Sequence, residues 1–329
     1  MIESKLIENL EIKSRNYFIQ LLKQIKAKKT TIYVGAGLSA SCGVPTWNKL
    51  TEEICTTFFA HWEFAKDTKR VPTNMSIAFW EKFLWSEQDK ILAKKFSAND
   101  PMKIMEQIKS QIEPRNWIYL IRKILYYQNE IEYSSLLEAV VNLISTDEVN
   151  NVLTTNYDDL IENRMKEKGL IVNSFSFEPI NNDSINQIIH LHGILPIYGG
   201  KKTRIIFTES EYNEEFSKPY SWTNIVQLTK FCNETCLFIG TSFTDVNLIK
   251  LLRTSRGLTR NMHYALIFDN LKEEPKIKKL FDNYLYNLGV KVIRLPMKDE
   301  ADYSSLLKYI DIINDFIKNE KHELRKYTT

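Results

Sequence analysis

Four short stretches of this sequence hold side chains and turns suited to binding an anion and moving a proton. Residues 31–47 read TIYVGAGLSASCGVPTW, in which the apolar Ile32-Tyr33-Val34 runs into Gly35-Ala36-Gly37 and a polar turn with Ser39, Ser41 and Gly43. A strand that delivers a glycine turn to a helix start offers N–H groups and hydroxyls to an anion, which the helix dipole favours. Gly35-x-Gly37-x-x-Ala40 also fits the looser dinucleotide fingerprint, a weak signal alone because many glycine turns bind nothing. Thr155-Asn156-Tyr157-Asp158-Asp159 follows the strand-like Val152-Leu153-Thr154, and open α/β sheets bind ligands at the carboxyl ends of their strands. Residues 188–193 read IIHLHG, with His190 and His192 expected on one face by the two-residue period of a strand. Cys236-Leu237-Phe238-Ile239 ends in Gly240-Thr241-Ser242-Phe243-Thr244-Asp245-Val246-Asn247.

Each stretch also has a plainer reading. An Asn-x-Asp after a strand makes an Asx turn or a helix cap. Asp245, just before a helix, is expected first as its cap and only second as a ligand contact. His190 is expected to be packed or hydrogen-bonded, whereas Gly193 and the strand-end position mark His192 as the working histidine. Cys232-x-x-x-Cys236 lacks a second pair to complete four metal ligands, so these cysteines read as core.

Elements that would position these stretches can be read from periodicity. Phe18, Leu21, Leu22 and Ile25 mark a helix within residues 3–28 that leads into the first strand. A dehydrogenase would place an acidic residue on a second strand about 20 positions beyond the glycines; here Glu52 and Glu53 fall in a helical pattern instead. Helical spacing continues to about Ile144, with stripes at Trp117, Leu120, Ile121, Ile124 and at Leu137, Val140, Val141, Ile144. Pro72, Pro101 and Pro114 punctuate this block, and its aromatics, Trp62, Trp80, Trp85 and Trp117 among them, read as core. Strands are expected again at 152–154, 170–175, 188–193, 205–207, 236–239, 264–268 and 290–295. A hairpin turn is expected at 199–202, and a capping box at Thr208-Glu209-x-Glu211. Gly257 is expected as a C′ glycine, and Leu306, Ile310, Ile313 and Ile317 mark a closing helix before a charged tail. The fold class is therefore α/β: a Rossmann-like parallel sheet flanked by helices, built from residues 1–50 and 145–329, with a helical insertion at 51–144.

Composition narrows the function. The 329 residues are 43% hydrophobic and 26% charged, with a net charge of +3, as in an ordinary globular protein. Lysines and glutamates are interspersed, which speaks against direct nucleic-acid binding. Four cysteines in so long a chain suggest a reducing compartment and no disulfide framework. No run approaches the roughly 18 apolar residues of a membrane span, and the N-terminus lacks a signal-peptide core, so a cytoplasmic protein without membrane contact is expected.

The reactive stretches also match a known order. Gly35-Ala36-Gly37-Leu38-Ser39 with Gly43-Val44-Pro45, then Thr155-Asn156-x-Asp158, then His192-Gly193, then Gly240-Thr241-Ser242, follow one another as in sirtuins. The chain resembles that family over nearly its whole length apart from the helical block. Thr208-Glu209-x-x-Tyr212 and Ser242-Phe243-x-Asp245-x-Asn247 are closer to the bacterial sirtuin-like branch associated with antiviral defence. In that branch the domain looks like an NAD hydrolase more often than a deacetylase. The resemblance implies NAD as substrate, with Gly35, Ala36, Gly37 and Ser39 toward its pyrophosphate and Gly240, Thr241 and Ser242 toward its adenosine half. Asn156 would hold the ribose or the attacking water with either end of its amide. Asp158 would accept from the nicotinamide carboxamide, and His192 would be the base, imidazole being a side chain suited to moving a proton at neutral pH. Pro45, Trp47, Thr155 and Asp245 complete the expected cofactor-binding set.

Three departures from the protein-deacetylating sirtuins bear on activity. Thr155 stands where a glutamine usually precedes the motif asparagine, and Trp47-Asn48 replaces the aromatic-arginine after the proline turn. No pair of Cys-x-x-Cys motifs is present, so no zinc is expected. Together they argue against an acyl-lysine cleft and leave the NAD half standing. The expectation is an NAD glycohydrolase that gives nicotinamide and ADP-ribose, acting as an NAD-depleting effector in anti-phage defence. A deacylase or ADP-ribosyltransferase on the same scaffold, and a catalytically silent NAD or ADP-ribose sensor, are the alternatives. A free NAD hydrolase would kill its own cell, so gating is expected, through copies of the same chain and a separate ATPase/helicase-like or nucleic-acid-guided partner.

Overall fold

The computed structural model describes residues 6–27, 30–67, 86–98, 100–126, 131–180, 186–198, 204–270, 272–297 and 303–318. In chain order these form α1 (Ile12–Ala27), β1 (Thr30–Val34), α2 (Ala36–Ala40), α3 (Trp47–Asp67), α4 (Glu87–Ser97), α5 (Pro101–Lys109), α6 (Pro114–Leu125) and α7 (Ser135–Ile144). Then come β2 (Val149–Thr154), α8 (Leu160–Glu167), β3 (Asn173–Phe175), β4 (Gln187–His190), α9 (Glu209–Phe216), α10 (Trp222–Asn233) and β5 (Thr235–Ile239). The chain closes with α11 (Val246–Leu258), β6 (His263–Asp269), α12 (Pro275–Asn287), β7 (Val290–Pro296) and α13 (Ser304–Lys318).

The strands make one seven-stranded sheet in the order β3-β4-β2-β1-β5-β6-β7, every neighbouring pair parallel. All five residues of β1 are buried, as a central parallel strand covered on both faces requires. Its alternate side chains enter two separate cores. Ile32 and Val34 join Val152, Ile188, Leu237 and Ile239 under Phe18 of α1, Leu137 of α7 and Ile310 of α13. Tyr33 joins Leu153, Ile189 and Phe238 under Phe231 of α10 and Leu251 of α11. The helical stretch 47–144 adds Ile54, Met105, Trp117 and Ile121 to the first of these cores, so its described helices and the sheet share one apolar cluster. Pro101, Pro114 and Pro275 each open a helix, where a missing N–H is no loss.

Some expectations shift. Residues 205–207 form no strand; Ile205 makes a single antiparallel bridge to Gly193. Gly257 lies inside α11, which ends at Thr259 as C-cap, because no left-handed residue is needed where Thr259 already leaves in an extended conformation. Pro72, Trp80, Trp85, the 199–202 turn and the charged tail lie outside the described residues, as does the side chain of Trp62. No described helix is long and apolar enough to cross a membrane.

The turns after β1 and β5 touch backbone to backbone. Gly35 N–H donates to the Ile239 carbonyl at 2.9 Å and Gly37 N–H to the Gly240 carbonyl at 3.0 Å. A Cβ on Gly35 would stand 2.5 Å from the Gly240 oxygen, and one on Gly240 would stand 2.7 Å from the Leu38 nitrogen. Gly35→Ala is therefore expected to lower stability by about 2 kcal/mol, the usual scale of overpacking. Gly257→Ala, whose Cβ would meet nothing within 4 Å, should raise stability by about 0.5 kcal/mol through helix propensity. Urea unfolding of both variants checks the pair, and an unshifted midpoint for Gly35→Ala contradicts the tight contact.

Candidate active site

Helices that follow β1 and β2 pack on the first core, while those that follow β5 and β6 pack on the second. The strand order thus reverses between β1 and β5, and the crevice beyond the carboxyl ends of such strands is where open sheets bind ligands. The glycine turn of β1 lies at this point, but its role differs from the expected one. Gly35 has φ −108°, open to any residue, and the Gly35 and Gly37 N–H groups are taken by the β5 turn. These glycines are required for lack of a side chain, and neither amide is left for a phosphate.

Asn156 is buried and clamped. Its Nδ2 donates to the Gly35 carbonyl at 3.1 Å and to Ser39 Oγ at 2.8 Å, and its backbone N–H donates to Thr154 Oγ1 at 3.0 Å. Because Gly35 offers only a carbonyl, the amide orientation is settled and Oδ1 is left as an acceptor. No described group bonds to that oxygen. Ser39 is accordingly tied to Asn156 and to the neighbouring Asp158. Asp158 is buried; desolvation pushes its carboxyl up to about 6, against the Ser39 hydroxyl and the Leu160 N–H, with Glu162 adding to the rise. The Leu160 contact, 3.4 Å to Oδ1, is the Asx-turn geometry of the plainer reading.

His192 does not share the setting of His190 that the strand period implies. The register pairs Thr154 with His190, so Asn156 and His192 both lie two residues beyond that pair, on adjacent strand ends. The chain turns after β4, with Gly193 at φ +91°, and the two histidines diverge instead of sharing a face. His192 Nε2 stands 3.4 Å from Asp245 Oδ2. A carboxylate on Nε2 makes that nitrogen the donor and leaves Nδ1 to accept a proton. Asp245 Oδ1 meanwhile accepts from the N–H of Asn247 at 2.7 Å, the N–H of Leu248 at 3.2 Å and the Tyr212 hydroxyl at 2.7 Å. Burial would raise this carboxyl, but the hydrogen bond and charge of His192, with Tyr212 and Leu248, hold it at about 2. Tyr212 and Phe216 flank the imidazole, with ring centroids at 6.4 and 5.6 Å.

His190 turns inward. Its Nδ1 lies 3.1 Å from the Asn156 carbonyl and its Nε2 2.6 Å from Glu162 Oε1, which also accepts from the Ser174 hydroxyl at 2.8 Å. Burial disfavours charge on both partners; the Glu162 carboxylate outweighs it and raises the His190 imidazole, and His190 in turn lowers Glu162.

The remaining expected contacts are scattered along the same rim. Ala36 opens the five-residue α2, Thr155 is half-buried between β2 and Asn156, and the exposed Ser242 bonds to Thr244 at 2.8 Å. Thr241 holds a buried hydroxyl with no described partner, a vacancy that a ligand oxygen or nitrogen would fill. Pro45 lines a cavity of about 160 Å³ with Val44, Lys49, Glu53 and Ile124, below the usual size of a cofactor pocket. Trp47 packs on Phe207, centroids 4.8 Å apart, beside Trp117 and Tyr157. Among the described residues no group of His, Cys, Asp and Glu could hold a metal, and Cys42, Cys55 and Cys236 are buried and unpaired with one another. Tyr212 and Glu162 were not among the expected site residues. The Tyr212 motif carried a usable signal, while Glu162 looked like any helical glutamate.

The raised Asp158 carboxyl has a signed consequence. A folded-state pKa near 6 above the unfolded value of about 3.9 means the fold binds an extra proton. Ionised Asp158 therefore destabilises the protein above about pH 6, and that penalty disappears as pH falls through 6 toward 4. Asp158→Asn is expected to raise stability at pH 8 by on the order of 2 kcal/mol and to flatten the slope between about pH 4 and 6. Denaturant unfolding across that range measures it; a parallel pH profile for wild type and variant would refute the assignment.

Comparison with known proteins agrees with the motif order. Residues 150–293 match the model of the SIR2-like domain, a span that starts after the glycine turn of β1. The NAD(+) hydrolase ThsA of Enterococcus faecium is 24% identical over 314 residues, covering 92% of this chain and 57% of that protein. Defense-associated sirtuin 2 of Bacillus subtilis is 24% identical over 176 residues, covering 53% of this chain and 17% of that one. The chain spans less than two thirds of the length of either relative. Residues 150–293 thus resemble the SIR2-like domain, in line with the ordered motifs and the parallel sheet.

Proposed function

We propose that this chain is an NAD glycohydrolase, releasing nicotinamide and ADP-ribose with water as acceptor. The observation that carries this reading is the His192–Asp245 pair beside Asn156 at the switch point of the sheet. The Enterococcus relative, named as an NAD(+) hydrolase, supports it. Breaking the bond from ribose C1′ to the pyridinium nitrogen passes through an oxocarbenium-like centre, and nicotinamide leaves neutral. The protein's task is then to position a water and take its proton. Asn156 Oδ1 accepts from that water or from a ribose hydroxyl. As the water oxygen bonds C1′, its proton passes to His192 Nδ1, and Asp245 stabilises the imidazolium through Nε2–H. We assign the unpartnered Thr241 hydroxyl to the adenosine half. With Gly35 and Gly37 N–H engaged elsewhere, the pyrophosphate contact falls to other groups of the same rim.

His192→Ala and Asn156→Ala are each expected to lower nicotinamide release by about 10²–10⁴-fold. Asp245→Asn, which keeps a cap acceptor but presents the wrong partner to Nε2, is expected to lower it by about 10²-fold or more. Chromatography of NAD products without any acyl peptide reads all three, and release that requires an acyl-lysine would favour the deacylase instead.

We further propose a gated role in defence; the Bacillus relative, named as defense-associated, supports the defence part of this reading. The gate would be assembly with copies of the chain and with a separate ATPase/helicase-like or nucleic-acid-guided protein. Light scattering coupled to activity is expected to show turnover only in an assembled form; a constitutively active monomer would overturn the gate.

A further inference from the structure

The sealed His190–Glu162 pair takes no part in the reaction as assigned, yet it ends on a residue that does. Asn156 offers a backbone carbonyl to His190 Nδ1 at 3.1 Å, and its side chain is the clamp on Gly35 and Ser39. A carbonyl can only accept, so Nδ1 carries a hydrogen and the direction of this bond is settled. At the far end of the ring Glu162 holds Nε2 at 2.6 Å and is itself held by Ser174 of β3. His190 is 1% exposed and Glu162 2%. Two ionisable groups buried this completely are weak stabilisers, because desolvation offsets most of their attraction. What they supply is direction: a rigid two-ended brace from the edge strand to the backbone of Asn156. The other charged group facing His190 is Asp158, which is tied to Ser39 and Leu160. It makes no competing hydrogen bond to the ring.

We infer that His190, braced by Glu162, is a positioning residue that holds the Asn156 carbonyl and so sets where Asn156 Oδ1 points. This rests on the proposed role of Asn156 in turnover. The two ends of the imidazole can be separated by substitution. In His190→Asn the side-chain amide nitrogen takes the place of Nδ1 and keeps the donor to Asn156. In His190→Gln the amide reaches the Nε2 position, keeping Glu162 company while the Asn156 carbonyl loses its donor.

The test measures kcat and KM for nicotinamide release alongside the side-chain amide NMR signals of Asn156, with thermal melting as the check on folding. His190→Gln is expected to lower kcat by about 10²-fold while KM for NAD stays within about threefold, and to shift the Asn156 amide signals. His190→Asn is expected to stay within about tenfold of wild type in kcat and to leave those signals in place. Equal effects of the two variants in both readouts would overturn the inference. Absence of turnover in the wild-type protein and its assemblies would count against the hydrolase reading alone, because the amide signals still decide the positioning role. Should His190→Gln not fold, imidazole ¹⁵N NMR of the wild type decides: a protonated, slowly exchanging Nδ1 is expected, and an unprotonated one overturns the bond.

Discussion

The contact on which this architecture rests is made without side chains. Where β1 and β5 run out, their turns meet amide to carbonyl, Gly35 on Ile239 and Gly37 on Gly240. The separation admits no Cβ on Gly35 or Gly240. The two strands flank the point where helices change from one face of the sheet to the other. Bringing the turns together there shapes the rim on which Asn156, Thr241 and Asp245 lie. A dinucleotide fingerprint whose glycines serve packing more than ligand approach is a different use of the same pattern.

Around that contact the polar groups form a chain. Ser174, Glu162, His190 and Asn156 are joined in sequence, and the Asn156 amide donates to both Ser39 and Gly35, carrying the chain from the edge strand to the centre of the sheet. The two histidines near its middle carry a carboxylate each, in opposite settings. The His192 side chain keeps 14% of its surface and can meet a substrate, whereas that of His190 keeps 1% and meets only protein. Two residues of separation at the end of a strand are enough to give the same side chain two unlike environments.

The parallel sheet was legible because buried parallel strands read as short apolar runs closed by turn residues: glycine after β1, β4 and β5, and Asn156 with Asp158 after β2. The site stretches were legible because they sit at the ends of those runs. What could not be read was pairing across the fold. That Glu162 meets His190 depends on β4 lying beside β2, and that Asp245 meets His192 depends on the turn at Gly193. The strand expected at 205–207 failed for a related reason: Phe207 packs against Trp47 and Trp117, so its hydrophobicity reports a cluster and not a sheet. Gly257 misled because a glycine near a helix end suggests a stop, while Thr259 supplies it.

Asp245 links the site to the integrity of α11. One carboxylate oxygen ties down the first turn of that helix and the other faces the imidazole. Fraying of those few residues, a local opening far smaller than global unfolding, would set the histidine adrift while the sheet stayed whole. A ligand or neighbour that pins the start of α11 would hold the His192–Asp245 contact in place from outside the pair.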